Sequence, residues 1–119
     1  MPVAILFTGD LFIRSQVEAQ VAPDFELHQV AQASALETQC TELEPSWLLI
    51  DLGGPPLDWT AITRVRESRP GLKVAAFGPH VQAARLAEAK EAGCDLVLTR
   101  GQMLKEGGQR LRAWDREDS

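Results

Sequence analysis

An isolated carboxylate at the end of an apolar run is the residue in this sequence best placed to do chemistry. Trp47-Leu48-Leu49-Ile50 leads into Asp51, followed by Leu52, the turn Gly53-Gly54-Pro55-Pro56, and then Leu57-Asp58. A continuous run of large apolar residues is the pattern of a strand buried on both faces. Asp51 therefore falls at the C-terminal mouth of a central strand, where open α/β sheets hold their ligands. A carboxylate partly removed from water is unfavourable unless it is paired. Two kinds of partner are available. One is the guanidinium of Arg100, at the end of a later apolar run, which would lower the carboxylate pKa. The other is the backbone amides of the Gly53-Gly54 loop. An Arg100–Asp51 ion pair is one expectation and amide bonding the alternative.

The remaining reactive side chains form no comparable group. Asp10 precedes a helical pattern and reads first as an N-cap. Thr8-Gly9-Asp10 has the position of a phosphate-binding loop of a flavin or nucleotide site, but lacks a glycine-rich fingerprint or a Walker loop. His28 and His80 are isolated, and no base–nucleophile pair is evident. Cys40 and Cys94 lack metal-ligand spacing and read as reduced thiols of a cytoplasmic protein. The net charge of −5 includes no Lys/Arg cluster able to follow a phosphate backbone, so a nucleic-acid partner is not expected. No stretch approaches the ~20 apolar residues of a membrane span, and no basic region precedes an apolar run as in a signal peptide.

Five short apolar runs must position these residues. They are Val3 to Phe7, Phe25 to Val30, Trp47 to Leu52, Leu72 to Phe77 and Asp95 to Thr99. The alternation in the second marks a half-exposed edge strand. Between the runs, Ile13, Val17 and Val21 form one helical stripe. Ser34 and Glu37 read as a capping box opening a second helix, with Leu36, Cys40 and Leu43 as its apolar face. Asp58 is an N-cap for a third helix carrying Ile62 and Val65, stopped by Pro70-Gly71. A fourth, alanine-rich helix runs from Val81 to Ala92 and ends at Gly93. A fifth begins near Met103 and contains Leu104, Leu111 and Trp114, with Gly107-Gly108 marking a kink, a fraying end or a close helix contact. Alternating strands and helices imply right-handed crossovers and a parallel sheet. The expected fold class is α/β, a flavodoxin-like doubly wound five-stranded parallel sheet of order 2-1-3-4-5 with five helices. Residues 1–119 read as a single domain with no attached output domain.

Residues 51–59, Asp-Leu-Gly-Gly-Pro-Pro-Leu-Asp-Trp, resemble the Asp-Leu-x-Met-Pro-x-Met-Asp-Gly segment of CheY-like receiver domains of two-component signalling. Ala92-Gly93-Cys94 through Leu98-Thr99-Arg100-Gly101 approximates the family's fifth-strand signature. The resemblance implies that Asp51 is the phosphoacceptor equivalent. The acidic pair that holds Mg²⁺ in this family falls on Thr8 and Gly9, and Asp10 joins it only if the turn is one residue shorter. The switch hydroxyl falls on Gly78 and the charge-neutralising lysine on Arg100. The family's cis Lys-Pro bond has no counterpart at Arg100-Gly101, so a trans bond is expected there.

The expectation is a stand-alone pseudo-receiver in signal transduction: no enzyme, no cofactor or metal, acting through protein–protein contact independently of phosphorylation. The alternative is a response regulator of a phosphorelay, phosphorylated on Asp51 with Mg²⁺ held by Asp10 and the Gly53 carbonyl. A second alternative is a flavodoxin-like protein that binds a small ligand. The surface implied for a partner, or for a second copy in a homodimer, comprises the fourth helix, fifth strand and fifth helix. Trp114 and Leu111 are its candidate contacts.

Overall fold

In the computed structural model, each apolar run becomes a parallel strand and each helical stripe packs onto the sheet. The structure describes residues 1–118, with side chains described through Arg116. The order is β1 (Val3–Phe7), α1 (Leu11–Val21), β2 (Glu26–Val30), α2 (Ala33–Leu43), β3 (Trp47–Asp51), α3 (Trp59–Ser68), β4 (Lys73–Gly78), α4 (Ala83–Glu91), β5 (Leu96–Thr99) and α5 (Arg100–Asp118). The five strands lie in the order β2-β1-β3-β4-β5, all pairings parallel. This is the doubly wound arrangement expected from the alternation.

Strand β3 occupies the centre because it can be buried from both sides: Trp47, Leu48, Leu49 and Ile50 are each 0% exposed. Side chains alternate across a strand, so Trp47 and Leu49 join the core beneath α1 and α5, with Ile13, Val17, Met103 and Leu111. Leu48 and Ile50 join the opposite core beneath α2, α3 and α4, with Leu36, Ile62, Val65 and Ala89.

Helix starts follow local chemistry, with three departures from the sequence reading. Asp10 and Asp58 do cap α1 and α3: Asp10 Oδ1 accepts from the amides of Phe12 (2.8 Å) and Ile13 (3.2 Å), and Asp58 Oδ1 accepts from Thr60 (2.9 Å). Ser34, however, lies inside α2; Gln32 holds the N-cap position and no side chain caps that helix. Helix α4 starts at Ala83, two residues after the expected Val81, again without a side-chain cap. At its end Gly93 takes φ +92°, a left-handed conformation that glycine adopts at no steric cost.

The largest departure concerns α5, which starts at Arg100 and not near Met103. The cause is a reciprocal cap. Thr99 Oγ1 accepts from the Gln102 amide (3.1 Å), and Gln102 Oε1 accepts from the Thr99 amide (2.9 Å). This Thr-x-x-Gln box lets the chain pass from strand to helix with no intervening residue. Within α5, Glu106 departs from helical geometry (φ −139°, ψ 17°) and joins two helical pieces. Among the described residues no peptide bond is cis, Arg100-Gly101 included.

Candidate functional site

Strand β3 delivers Asp51 to the mouth of the sheet at 9% exposure, and Thr8, which follows β1, stands beside it at 4% exposure. The Thr8 hydroxyl donates to Asp51 Oδ2 at 2.7 Å, and the Gly53 amide donates to Asp51 Oδ1 at 2.8 Å. Each carboxylate oxygen thus has a donor from the protein itself. Thr8 is in turn held at every polar atom. Its amide donates to the Val30 carbonyl (3.1 Å), its carbonyl accepts from Gln29 Nε2 (2.9 Å), and its hydroxyl oxygen accepts from the Asp10 amide (3.1 Å). A hydroxyl on the neighbouring strand end therefore satisfies the buried acid.

The Arg100–Asp51 ion pair does not form: no N···O contact within 4.0 Å joins them among the described residues. The alternative expectation, bonding to the glycine loop, describes Asp51 better. Arg100 nevertheless reaches the loop. A Cβ built on Gly53 would collide with Arg100 Nη2 and stand 3.1 Å from Asp51 Oδ1, so only glycine lets the guanidinium lie this close. Arg100 Nε is buried without a hydrogen-bond partner.

The other sites named from sequence are placed as follows. Gly9 is exposed and contributes no side chain. The Asp10 carboxylate caps α1, while its amide donates to the Thr8 hydroxyl that bonds Asp51. Gly78 is buried and offers no hydroxyl, and a Cβ there would stand 3.0 Å from Leu52 Cβ, a tight contact that a larger residue would have to relieve. Leu111 is 0% exposed in the α1/α5 core, which removes it from any surface. Trp114 is half-buried and engaged within the chain. Its ring meets Trp47 edge-on (5.8 Å between centroids, 84°), and its indole N–H donates to the Asp95 carbonyl (3.2 Å). Lys73 Nζ lies 5.2 Å from the centroid of the same ring. His80 is exposed, and His28 lies on edge strand β2 with Nε2 3.4 Å from Glu26 Oε2. The hydrogen bonds to Asp51 come from Thr8 and Gly53 and involve neither histidine.

Mg²⁺ requires near-octahedral oxygen ligation, usually from more than one carboxylate or phosphate group. Among the described residues, no group of three or more His, Cys, Asp or Glu could hold a metal ion. Asp51, already bonded to Thr8 and Gly53, belongs to no such group. Cys40 and Cys94 are free thiols. Burial pushes each from 9.0 up to about 11, only partly offset by Arg69 beside Cys40 and by Arg66 beside Cys94. Neither is a ready nucleophile.

Sequence reasoning named Thr8, as an acidic-pair position and as part of a phosphate-binding loop, but not as the donor to Asp51, and it missed Arg85. Arg85, in the first turn of α4, donates from Nη1 to the Gly54 carbonyl (2.7 Å) and from Nη2 to the Pro55 carbonyl (3.1 Å). No local pattern marks that long-range contact. Beside this, α4 and β5 flank an open cleft of about 300 Å³ lined by Leu86, Ala87, Lys90, Val97 and Gln102.

A buried acid at the central strand of a 2-1-3-4-5 parallel sheet defines the class: the chain has the fold of CheY-like response-regulator receiver domains. Solved structures bear this out. A CheY-like protein (TadZ) from Pseudomonas aeruginosa superposes with TM-score 0.79 at 19% identity, covering 96% of this chain and 99% of that one. A response regulator from Thermotoga maritima gives TM-score 0.81 at 16% identity, covering 96% and 97%. The RcsB response regulator of Salmonella typhimurium, described in terms of DNA interaction, gives 0.77 at 14% identity; 98% of this chain spans 62% of that longer one. No family profile and no curated protein matches the sequence. No helix among the described residues is long and apolar enough to cross a membrane.

The hydrogen bonds at Asp51 have a testable consequence. In Asp51→Asn, the amide oxygen can accept from Gly53 while the amide NH₂ donates to Thr8, whose hydroxyl turns to accept. That variant is expected to stay within about 1 kcal/mol of the parent. Asp51→Ala and Thr8→Val each strand buried polar groups and are expected to lose about 2 kcal/mol. Urea unfolding of the three variants checks this; equal losses for Asn and Ala would contradict the hydrogen-bonding scheme.

Proposed function

We propose that this chain is a pseudo-receiver: a signalling module of receiver fold that acts by protein–protein contact, without phosphorylation of Asp51 and without catalysis of its own. The observation that carries the reading is the state of Asp51. Its two oxygens accept from Thr8 and Gly53, the positions of the family's acidic pair are Thr8 and Gly9, and Gly78 offers no hydroxyl. Acyl-phosphate chemistry at this position needs a cation to neutralise phosphoryl charge and an accessible oxygen to attack. An Asp51 anchored between two donors serves instead as a fixed joint between β1 and the β3–α3 loop.

The surface best suited to a protein partner, or to a second copy, is the cleft between α4 and β5. Leu86, Ala87 and Val97 provide apolar area there, rimmed by Lys90 and Gln102. Trp114 and Leu111 no longer contribute to this proposal, because their rings and methyls are spent on the chain's own core. Two free thiols support a reducing, cytoplasmic setting.

Incubation with Mg²⁺ and acetyl phosphate, followed by intact-mass measurement, tests the reading. The expected mass is unchanged, and beryllofluoride with Mg²⁺ leaves tryptophan fluorescence unaltered. Stoichiometric phosphoryl addition that is abolished in Asp51→Asn would overturn it in favour of a phosphorylated response regulator.

A further inference from the structure

Helix α4 is gripped weakly by apolar contact. Ala89 is its only fully buried residue and Leu86 is half-buried; Ala83, Ala84 and Ala87 face solvent. Its polar ties are correspondingly prominent. Arg85 holds the carbonyls of Gly54 and Pro55, and Glu88 Oε1 accepts from the Trp59 indole N–H at 2.7 Å. Arg85 and Glu88 are three residues apart and therefore share one face of the helix. That face looks toward the β3–α3 loop and the start of α3.

The position of Arg85 is costly for the helix considered alone. It stands in the first turn, at the positive end of the macrodipole, where a cation is disfavoured. The helix also has no side-chain N-cap. The loop it reaches has the opposite need. Gly53 and Gly54 leave the backbone unusually free, Pro55 and Pro56 supply carbonyls but no amide protons, and all four residues are exposed. A planar fork that engages two consecutive carbonyls fixes such a loop in a way a single-point donor does not. Arg100, in the first turn of α5, lies against the same loop at Gly53.

We infer that Arg85 is a strut that joins the Asp51 loop to α4, so that loop and helix open and close as one cooperative unit. The Gly53 amide, bonded to Asp51 Oδ1, reports the loop end of that unit, and the amides of the second half of α4 report the other. This coupling is independent of whether Asp51 accepts a phosphoryl group.

Amide hydrogen exchange followed by NMR tests it, with protection read as a ratio to the sheet amides of Leu49 and Ala76. That ratio remains informative even where a substitution lowers global stability. In Arg85→Gln, protection at Gly53 and in the second half of α4 is expected to fall together, by about three- to tenfold. Arg85→Lys, which keeps the charge and loses the fork, should fall between Gln and the parent. Arg64→Gln breaks a different exposed pair, Arg64 Nε–Glu37 Oε1 at 3.5 Å, and should leave Gly53 unchanged. The strut is overturned if Arg85→Gln loosens α4 while Gly53 keeps its protection, or if neither changes. It is equally overturned if Arg64→Gln reproduces the effect.

Discussion

Replacing Gly108 with valine is expected to destabilise the fold by about 3 kcal/mol and to lower the melting temperature by roughly 12 °C. A Cβ at Gly108 would overlap the backbone carbonyl oxygen of Gln20 in α1, with the carbonyl carbon at 3.1 Å and Arg112 Nη1 at 3.3 Å. A backbone carbonyl in the last turn of a packed helix cannot rotate aside as a side chain can, so α1 and α5 must separate. The Gly108 amide also donates to Gln20 Oε1 (3.3 Å), a bond that separation would stretch. Gly107→Ala is the informative contrast. Its Cβ would meet Met103 Sδ at 2.8 Å, the far part of a flexible side chain. The gain of about 1 kcal/mol in helix propensity on leaving glycine offsets that crowding. Thermal and urea unfolding should therefore find Gly107→Ala near neutral and Gly108→Val strongly destabilised. Equal effects would mean that the helices are not in backbone contact here.

Trp47→Ala is expected to cost more, about 3–5 kcal/mol, and to lower the melting temperature by roughly 15 °C. Trp47 is the largest of the fully buried side chains, and its removal opens the core between β3, β4 and α5. It also deprives Trp114 of its edge contact. The indole N–H donates to Asp115 at 3.2 Å, but that carboxylate is 36% exposed and keeps Lys73 at 2.9 Å. Solvent replaces most of what the acid loses. Asp115→Ala should therefore cost less than about 1 kcal/mol, which separates packing from polar contributions. A Trp47→Ala loss as small as that of Asp115→Ala would refute the assignment of Trp47 as the central packing residue.

Much of the architecture was legible because burial imposes patterns. Trp47-Leu48-Leu49-Ile50 announced a two-sided strand, and Ile13, Val17 and Val21 announced the buried face of α1. Asp10 and Asp58 were readable as caps because an acid one position before a helix has one dominant use. Ser34 misled for the same reason, since α2 begins one residue before it. The start of α5 was written in the sequence as Thr99-x-x-Gln102. Thr99 also ends an apolar run, however, and the strand pattern concealed the cap.

The site was less legible because its decisive contacts are non-local. The hydroxyl of Thr8 meets Asp51 across 43 positions of sequence, and Arg85 meets Gly54 across 31. Charge complementarity made Arg100 the natural partner for Asp51, but a carboxylate already satisfied by Thr8 and Gly53 gains little from a third donor. Leu111 and Trp114 were read as outward-facing because a helical stripe does not reveal which side is covered. The close approach of α1 and α5 at Gly108 turns that stripe inward.

The direct passage from β5 into α5 leaves Arg100 no slack. The arginine follows directly on Thr99, the last paired residue of β5, and opens the first turn of α5, so its azimuth is dictated by rigid scaffolding on either side. Each residue of a helix turns about 100° from the last. A single inserted residue at this junction would carry the guanidinium a quarter-turn or more off Gly53, making chain length here as consequential as side-chain identity.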